Sequence, residues 1–445
     1  MTRARLIGLL LLLMGSAVFI LWGARLAETV PGGMGDFKID YHAARCLIEH
    51  CDPYSQSEFE ADYRANGWEI PVSLPARQGA LLYINLPAAF VLTVPFALLP
   101  WGPAHLLWMT ATAGSLILAA FLMWSIGADY APIVSGCLVG FVLFNSEVLF
   151  GCGNPTGIIV ALCVIAAWCL LKDRFALVGV ICLAVSLSIK PHDAGLIWLY
   201  FLLAGGVQRK RALQALAVTV VLSLASTLWV WQTAPHWARE LHSNLAVISA
   251  HGSLNDPGPD EVRGPDPDGV IGLQTVISVF GDDPRIYNPV SYLAGGALLL
   301  AWLVRTFRSR SSQLRSYLAL AAIVPLTVVV TYHRPYDAKL LLLTVPACAM
   351  LWAEGGLIGW LALLVNGAGI ALTGDIPLSI LQILTARLHL STAMLSGKML
   401  TILLARPATL ILIIVCIFNL WSYARQTVLD KGRDQSADGI PVLAR

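Results

Sequence analysis

Asp36 and Asp40, Asn154, Lys190, Gln274 and the run His333-Arg334-Pro335-Tyr336-Asp337 are polar groups set beside long apolar stretches. Ionisable groups at membrane depth are costly, and they generally face a cavity or a partner. A carboxylate can take the proton of a hydroxyl that attacks an electrophilic carbon. Cations held in place beforehand can stabilise a leaving group that departs with negative charge. Asp36 suits the first task, and Lys190 with Arg334 the second, with His333 donating to the leaving group or holding the acceptor. Each residue also has a plainer reading. Asp36 is otherwise a solvated loop carboxylate, and Asp40 is solvated or paired locally. Lys190 otherwise snorkels toward lipid headgroups. Asn154, between Gly153 and Pro155, is otherwise only a turn residue, and His333-Arg334 an interfacial anchor.

The elements that must position these groups are membrane spans. Hydrophobic residues make up 57% of the 445 and charged residues 13%, and the mean hydropathy is +0.72. A water-soluble domain carries about 25% charged residues, so the polar coat of a soluble fold is missing. Apolar segments long enough to be considered as spans lie at 6–26, 81–99, 104–126, 131–149, 156–171, 175–189, 192–205, 213–232, 288–305, 317–331, 338–352, 355–373 and 401–423. Segment 81–99 is interrupted by Pro87 and Pro95 and ended by Pro100, and is expected to be re-entrant or interfacial. The expectation is an all-α polytopic protein, a single membrane-embedded domain over 1–445 with about 12 transmembrane helices.

Charge sets its orientation. Arg3 and Arg5, Lys172 and Arg174, Arg209-Lys210-Arg211, Arg305 to Arg315 and the tail 425–445 mark cytoplasmic segments by the positive-inside rule. Residues 28–79 hold nine acidic against four basic side chains, and 233–287 eight against three. Both loops therefore read as outer. Residues 36–64 mix apolar and charged positions, as short amphipathic surface helices do, whereas Asn255 to Gly269 is too rich in Pro, Gly and Asp to pack. Asp375, Arg387, His389 and Lys398 give 375–398 an interfacial character, and Trp101, Trp108, Trp231 and Trp237 fit an aromatic belt. Cys46 and Cys51 either pair or remain free thiols. No CxxC spacing, P-loop or nucleotide-binding domain is present, and neither a metal, a cofactor nor nucleic acid is expected. Asp266-Pro267-Asp268 reads as solvated acid rather than a metal motif.

A resemblance sharpens this. Asp36-Phe37, Tyr41-His42-Ala43-Ala44-Arg45 and Asp52-Pro53-Tyr54 resemble the first outer loop of glycosyltransferase family 87. Tyr83 to Pro87, with Pro95 and Pro100, is similar to the proline-rich segment that follows. Gly151-Cys152-Gly153-Asn154 resembles a Gly-Gln-x-Asn turn with Cys in place of Gln. Ile189-Lys190-Pro191 resembles a Leu-Lys-Pro element, Gly272-Leu273-Gln274-Thr275 an Asn-Gln-Ser element, and His333-Arg334-Pro335-Tyr336-Asp337 a late His-containing one. The resemblance implies a GT-C bundle in the plasma (inner) membrane with its active site on the extracytoplasmic side. It implies transfer of a hexose, mannose in the first place, from a polyprenyl-phosphate sugar to a glycolipid or glycan acceptor. Asp36 would be the general base, and Lys190, His333 and Arg334 would bind the donor phosphate. Asp40, Tyr83, Asn154, Gln274, Tyr336 and Asp337 would line the substrates. A single phosphate flanked by cations needs no divalent metal, and attack opposite the leaving group inverts the anomeric centre. The competing expectation is a transporter or flippase. Against it, acidic residues are scarce inside the apolar runs, and the polar groups gather at the outer ends rather than the midplane.

Overall fold

The computed structural model describes residues 2–29, 33–68, 81–253, 255–258, 269–308, 312–388 and 395–438. Asp266, Asp268, His389 and most of Asn255 to Gly269 lie outside the described residues. The chain begins with α1 (Arg3–Thr29), then two short helices, α2 (Gly35–Ile48) and α3 (Gln56–Ala65). A 3-10 turn at Pro87–Ala89 runs into α4 (Phe90–Ala97). The middle comprises α5 (Trp101–Gly127), α6 (Pro132–Phe144), α7 (Val148–Cys152), α8 (Thr156–Leu171), α9 (Ala176–Ile189), α10 (Pro191–Leu203), α11 (Gly206–Thr233) and α12 (Trp237–Ile248). After α13 (Leu273–Ile277) come α14 (Pro284–Arg308), α15 (Gln313–Val330), a 3-10 segment (Asp337–Thr344) and α16 (Val345–Glu354). The chain ends with α17 (Gly356–Leu372), α18 (Asp375–Leu388), α19 (Leu395–Ala405) and α20 (Pro407–Asp438). Among the described residues the only extended pairing is an isolated antiparallel bridge, Ile271 with His333.

Seven helices have the length and apolarity to cross a membrane: α1, α5, the α6–α7 pair, α11, α14, α15 and α20 up to Gln426. Joining α17 to the first turns of α18, across a 66° bend, would add an eighth. The expectation of about 12 counted segments that fold as shorter helices. A helix of 16 residues, such as α8, rises only about 24 Å, short of a hydrocarbon core of about 30 Å. Segment 81–99 forms extended chain leading into the brief helix Pro87–Ala97. Pro95 lies inside that helix.

The layering follows from the apolar pattern. α15 is buried along nearly its whole length, as are the 3-10 segment and α16. These pack with α8 into the centre. Peripheral helices leave apolar side chains exposed, including Leu213, Val221, Leu224 and Leu228 on α11 and Leu293 and Leu300 on α14. Such a surface is expected where lipid replaces water. α1 and α6 touch backbone to backbone. A Cβ on Gly15 would lie 2.2 Å from the Gly140 carbonyl oxygen, and one on Gly136 would lie 2.3 Å from that of Gly8. Close approach through small residues is how helices gain dispersion contacts when apolar burial drives nothing.

Candidate active site

The site is built where α2 meets the turn after α7, the α9–α10 junction and the segment after α15. α2 starts at Met34, whose backbone is left-handed (φ 61°) and whose N–H donates to the Gly151 carbonyl at 2.7 Å. Phe37 then anchors the helix. Its ring stacks on Trp108 at 4.2 Å and on Trp101 at 5.6 Å, and meets Phe96 edge-on at 6.0 Å. Burying one such ring contributes about 1.5–3 kcal/mol. Trp108 is itself buried and donates to the Gly153 carbonyl at 3.0 Å, so it holds the site together instead of joining an aromatic belt. Gly153 has φ +68°, and a Cβ there would lie 2.8 Å from that of Phe37. Only glycine meets both demands cheaply. Cys46 and Cys51 form a disulfide at the far end of α2.

This packing sets the half-buried Asp36 against Asn154, whose amide donates to the carboxylate at 2.7 Å and to the Tyr336 hydroxyl at 3.2 Å. The Asn154 side-chain oxygen accepts the Thr156 backbone N–H at 2.9 Å. Thr156 donates its hydroxyl to Asp337 at 3.0 Å and accepts from the Lys190 ammonium. Lys190 also donates to Asp337 at 3.0 Å and lies 3.8 Å from Asp193. Asp337 accepts the Arg334 backbone N–H at 2.7 Å. One connected network therefore joins Asp36, Asn154, Tyr336, Thr156, Asp337, Lys190, Asp193 and Arg334. Its members come from chain segments as much as 301 residues apart. Lys190 is held by carboxylates and does not snorkel; its side chain is 15% exposed.

Asp40 shares a face of α2 with Asp36 but turns to other partners. It is buried and accepts from Asn85 at 2.7 Å, near Tyr54 and Tyr83. Burial first, and the neighbouring Asp36 charge second, push its carboxyl up to about 8. Asp36 is also raised by burial, but its hydrogen bond from Asn154 and the charges of Arg334 and Lys190 pull the other way. With that raised value the Asp40 carboxyl carries its proton at neutral pH. Tyr83 is fully buried, and its hydroxyl has no hydrogen-bond partner among the described residues.

His333 is placed differently from its expectation. Its ring is 0% exposed; Nε2 lies 2.9 Å from Asp193 and Nδ1 3.1 Å from the Thr331 carbonyl. Two acceptors on the two nitrogens favour a doubly protonated ring. Burial alone would lower its proton affinity, but Asp193 more than offsets this and holds it above the ordinary value. His333 thus faces protein on both sides and orients Asp193, which in turn flanks Lys190. Gln274 also faces backbone, donating to the Val330 carbonyl at 3.4 Å. It stabilises the loop whose Ile271 exchanges hydrogen bonds with His333. Thr156, Asp193 and Asn85 were not anticipated as site residues, nor was Tyr332, whose hydroxyl accepts from Arg334 Nε at 2.7 Å. Asp193 stands three residues after Lys190 at the start of α10, a spacing that puts both on one helical face. Thr156 and Asn85 carry no such signal.

The arrangement defines a polytopic membrane protein in which a partly accessible carboxylate faces two cations at one end of an apolar bundle. The sequence profile of glycosyltransferase family 87 matches residues 83–332, more than half of the chain. The protein belongs to that family, and is a membrane glycosyltransferase. The match contains Tyr83, Asn154, Lys190 and Gln274, and ends one residue before His333. Among curated proteins none matches the chain.

Proposed function

We propose that the protein moves a hexose, mannose by the family resemblance, from a polyprenyl-phosphate sugar to a glycolipid or glycan acceptor on the extracytoplasmic side of the plasma (inner) membrane. The observation that carries this reading is the opposition of Asp36 to Lys190 and Arg334 across Asn154, with Asp36 only half buried. Asp36 takes the acceptor hydroxyl proton as the acceptor oxygen bonds to the anomeric carbon. The bond from that carbon to the phosphate oxygen breaks on the opposite side, and polyprenyl phosphate leaves with the electron pair. The anomeric configuration inverts. Lys190 and Arg334 stabilise the charge growing on the phosphate, preorganised by Asp337 and Asp193. Asn154 aims the base through its 2.7 Å hydrogen bond, and Tyr336 aims Asn154.

The acidic balance of the α2–α3 loop and the Cys46–Cys51 disulfide support an oxidising, extracytoplasmic location. The test is reconstitution in liposomes with a polyprenyl-phosphate mannose whose sugar is labelled. Label in a new glycosidic linkage, with release of polyprenyl phosphate, is expected. Movement of the unmodified lipid or of a free solute across the bilayer, without covalent transfer, would contradict it.

A further inference from the structure

The cations nominated for the donor phosphate are already engaged within the protein. The Lys190 ammonium donates to Thr156 and Asp337 and pairs with Asp193 at 3.8 Å. Both His333 nitrogens face acceptors in the fold. A phosphate that Lys190 and Arg334 stabilise can take a further hydrogen bond from a donor that the fold has not engaged.

His192 is placed to be such a donor. It occupies the first turn of α10, between Lys190 and Asp193 on one side and open space on the other. The ring is exposed, and among the described residues neither nitrogen makes a hydrogen bond. Its ring centroid lies 5.0 Å from that of His333 at 63°. His333 is fixed by Asp193 and Thr331, so His192 rests on an immobile partner at the edge of the network. The first turn of a helix also presents backbone N–H groups and a positive dipole end to an anion. Apart from that ring contact the exposed imidazole makes no hydrogen bond among the described residues, and it stands beside an ammonium paired with carboxylates.

We propose that His192 donates a ring N–H to the phosphate of the polyprenyl-phosphate donor. This rests on the donor reading above. A hydrogen bond to a charged group of this kind is expected to change donor KM by about tenfold, with kcat altered less than about twofold because the contact exists before and during transfer. His192, Asp193 and His333 also bring ligand atoms within 4.8 Å of one another, so a bound divalent metal is the rival explanation for any effect of His192.

The full-length protein in lipid nanodiscs decides between them, with polyprenyl monophosphate as a competitive probe and a polyprenyl-phosphate sugar as donor. His192→Ala is expected to raise donor KM and the inhibition constant of polyprenyl monophosphate by similar factors. His192→Gln, which keeps a neutral N–H, is expected to recover most of that loss. Equal probe binding by wild type and His192→Ala overturns the assignment while leaving the donor reading intact, and so does a loss that His192→Gln fails to recover. A loss confined to kcat also overturns it. Probe binding abolished by EDTA and restored by zinc assigns His192 to a metal instead. A wild-type protein that binds no polyprenyl monophosphate overturns the donor reading, and the assignment falls with it.

Discussion

Two groups of buried charges lie in this bundle, and they differ in what reaches them. One is the network of Asp36, Lys190, Asp193 and Asp337. The other joins Lys339 and Asp375, 3.0 Å apart with both side chains 4% exposed. Lys339 also donates to the Asn145 and Thr373 carbonyls, and Asp375 accepts the Val148 N–H at 3.0 Å. Glu147 is buried beside them. The second group ties the start of α7, the end of α17 and the 3-10 segment together where three helices break. The Lys339 and Asp375 charges compensate one another, and the cavity that Lys339 lines with Asn145 and Thr373 has room for about one water. The first group keeps Asp36 half buried, with an exposed His192 at its edge. Buried charge in a membrane bundle therefore marks a rigid joint as readily as a reaction centre. Residual access separates the two.

Breaking the sealed pair should have the largest effect on folding. Lys339→Met leaves Asp375 buried without its cation and should cost about 3–5 kcal/mol. The double variant Lys339→Met/Asp375→Leu should recover most of that, and donor KM in the double variant should stay near wild type. Thermal unfolding in detergent and steady-state kinetics measure both. A double variant less stable than Lys339→Met alone would show that the pair does more than join helices.

Breaking the open network should act on turnover. Lys190→Met is expected to lower kcat by about 10²–10³, as loss of one preorganised stabilising group does. It should also move the acid limb of the pH profile. Asp36 must be ionised to act, so activity rises with pH through its pKa. The Lys190 charge lowers that pKa, so removing it shifts the limb to higher pH. An unchanged limb would show that Lys190 does not sense Asp36.

The turn that joins the two regions should respond less. Gly153→Ala places a Cβ at positive φ and against Phe37, with an expected cost of about 1–3 kcal/mol. Asp40→Asn should do least at pH 7. The side chain is already protonated there, and an amide keeps the oxygen that accepts from Asn85. A tenfold loss of kcat in Asp40→Asn would place Asp40 in the reaction.

Much of this was readable from the chain. Apolar run length and charge asymmetry identify a polytopic protein, and the order of Asp36, Asn154, Lys190 and Asp337 along the chain anticipates the network. Other features were hidden for physical reasons. Asp36 and Asp40 stand four residues apart on one helix, and only tertiary partners distinguish a carboxyl facing Asn154 from one facing Asn85. Lys339 begins an apolar stretch, and its carboxylate partner lies 36 residues away, so no local pattern links them. Asp375 reads as interfacial because it sits near other charges; in the fold it is buried. His333 has the right type for phosphate binding, but the ring's two hydrogen bonds turn it inward.

The central claim is that Asp36 is the base. The direct measurement is single-turnover transfer from a polyprenyl-phosphate sugar by Asp36→Asn in nanodiscs, with donor binding measured on the same preparation. The amide keeps the size of the side chain but has no proton affinity, so the chemical step should slow by about 10²–10⁴, with donor affinity within about twofold of wild type. Transfer at the wild-type rate, with donor binding intact, would contradict the account.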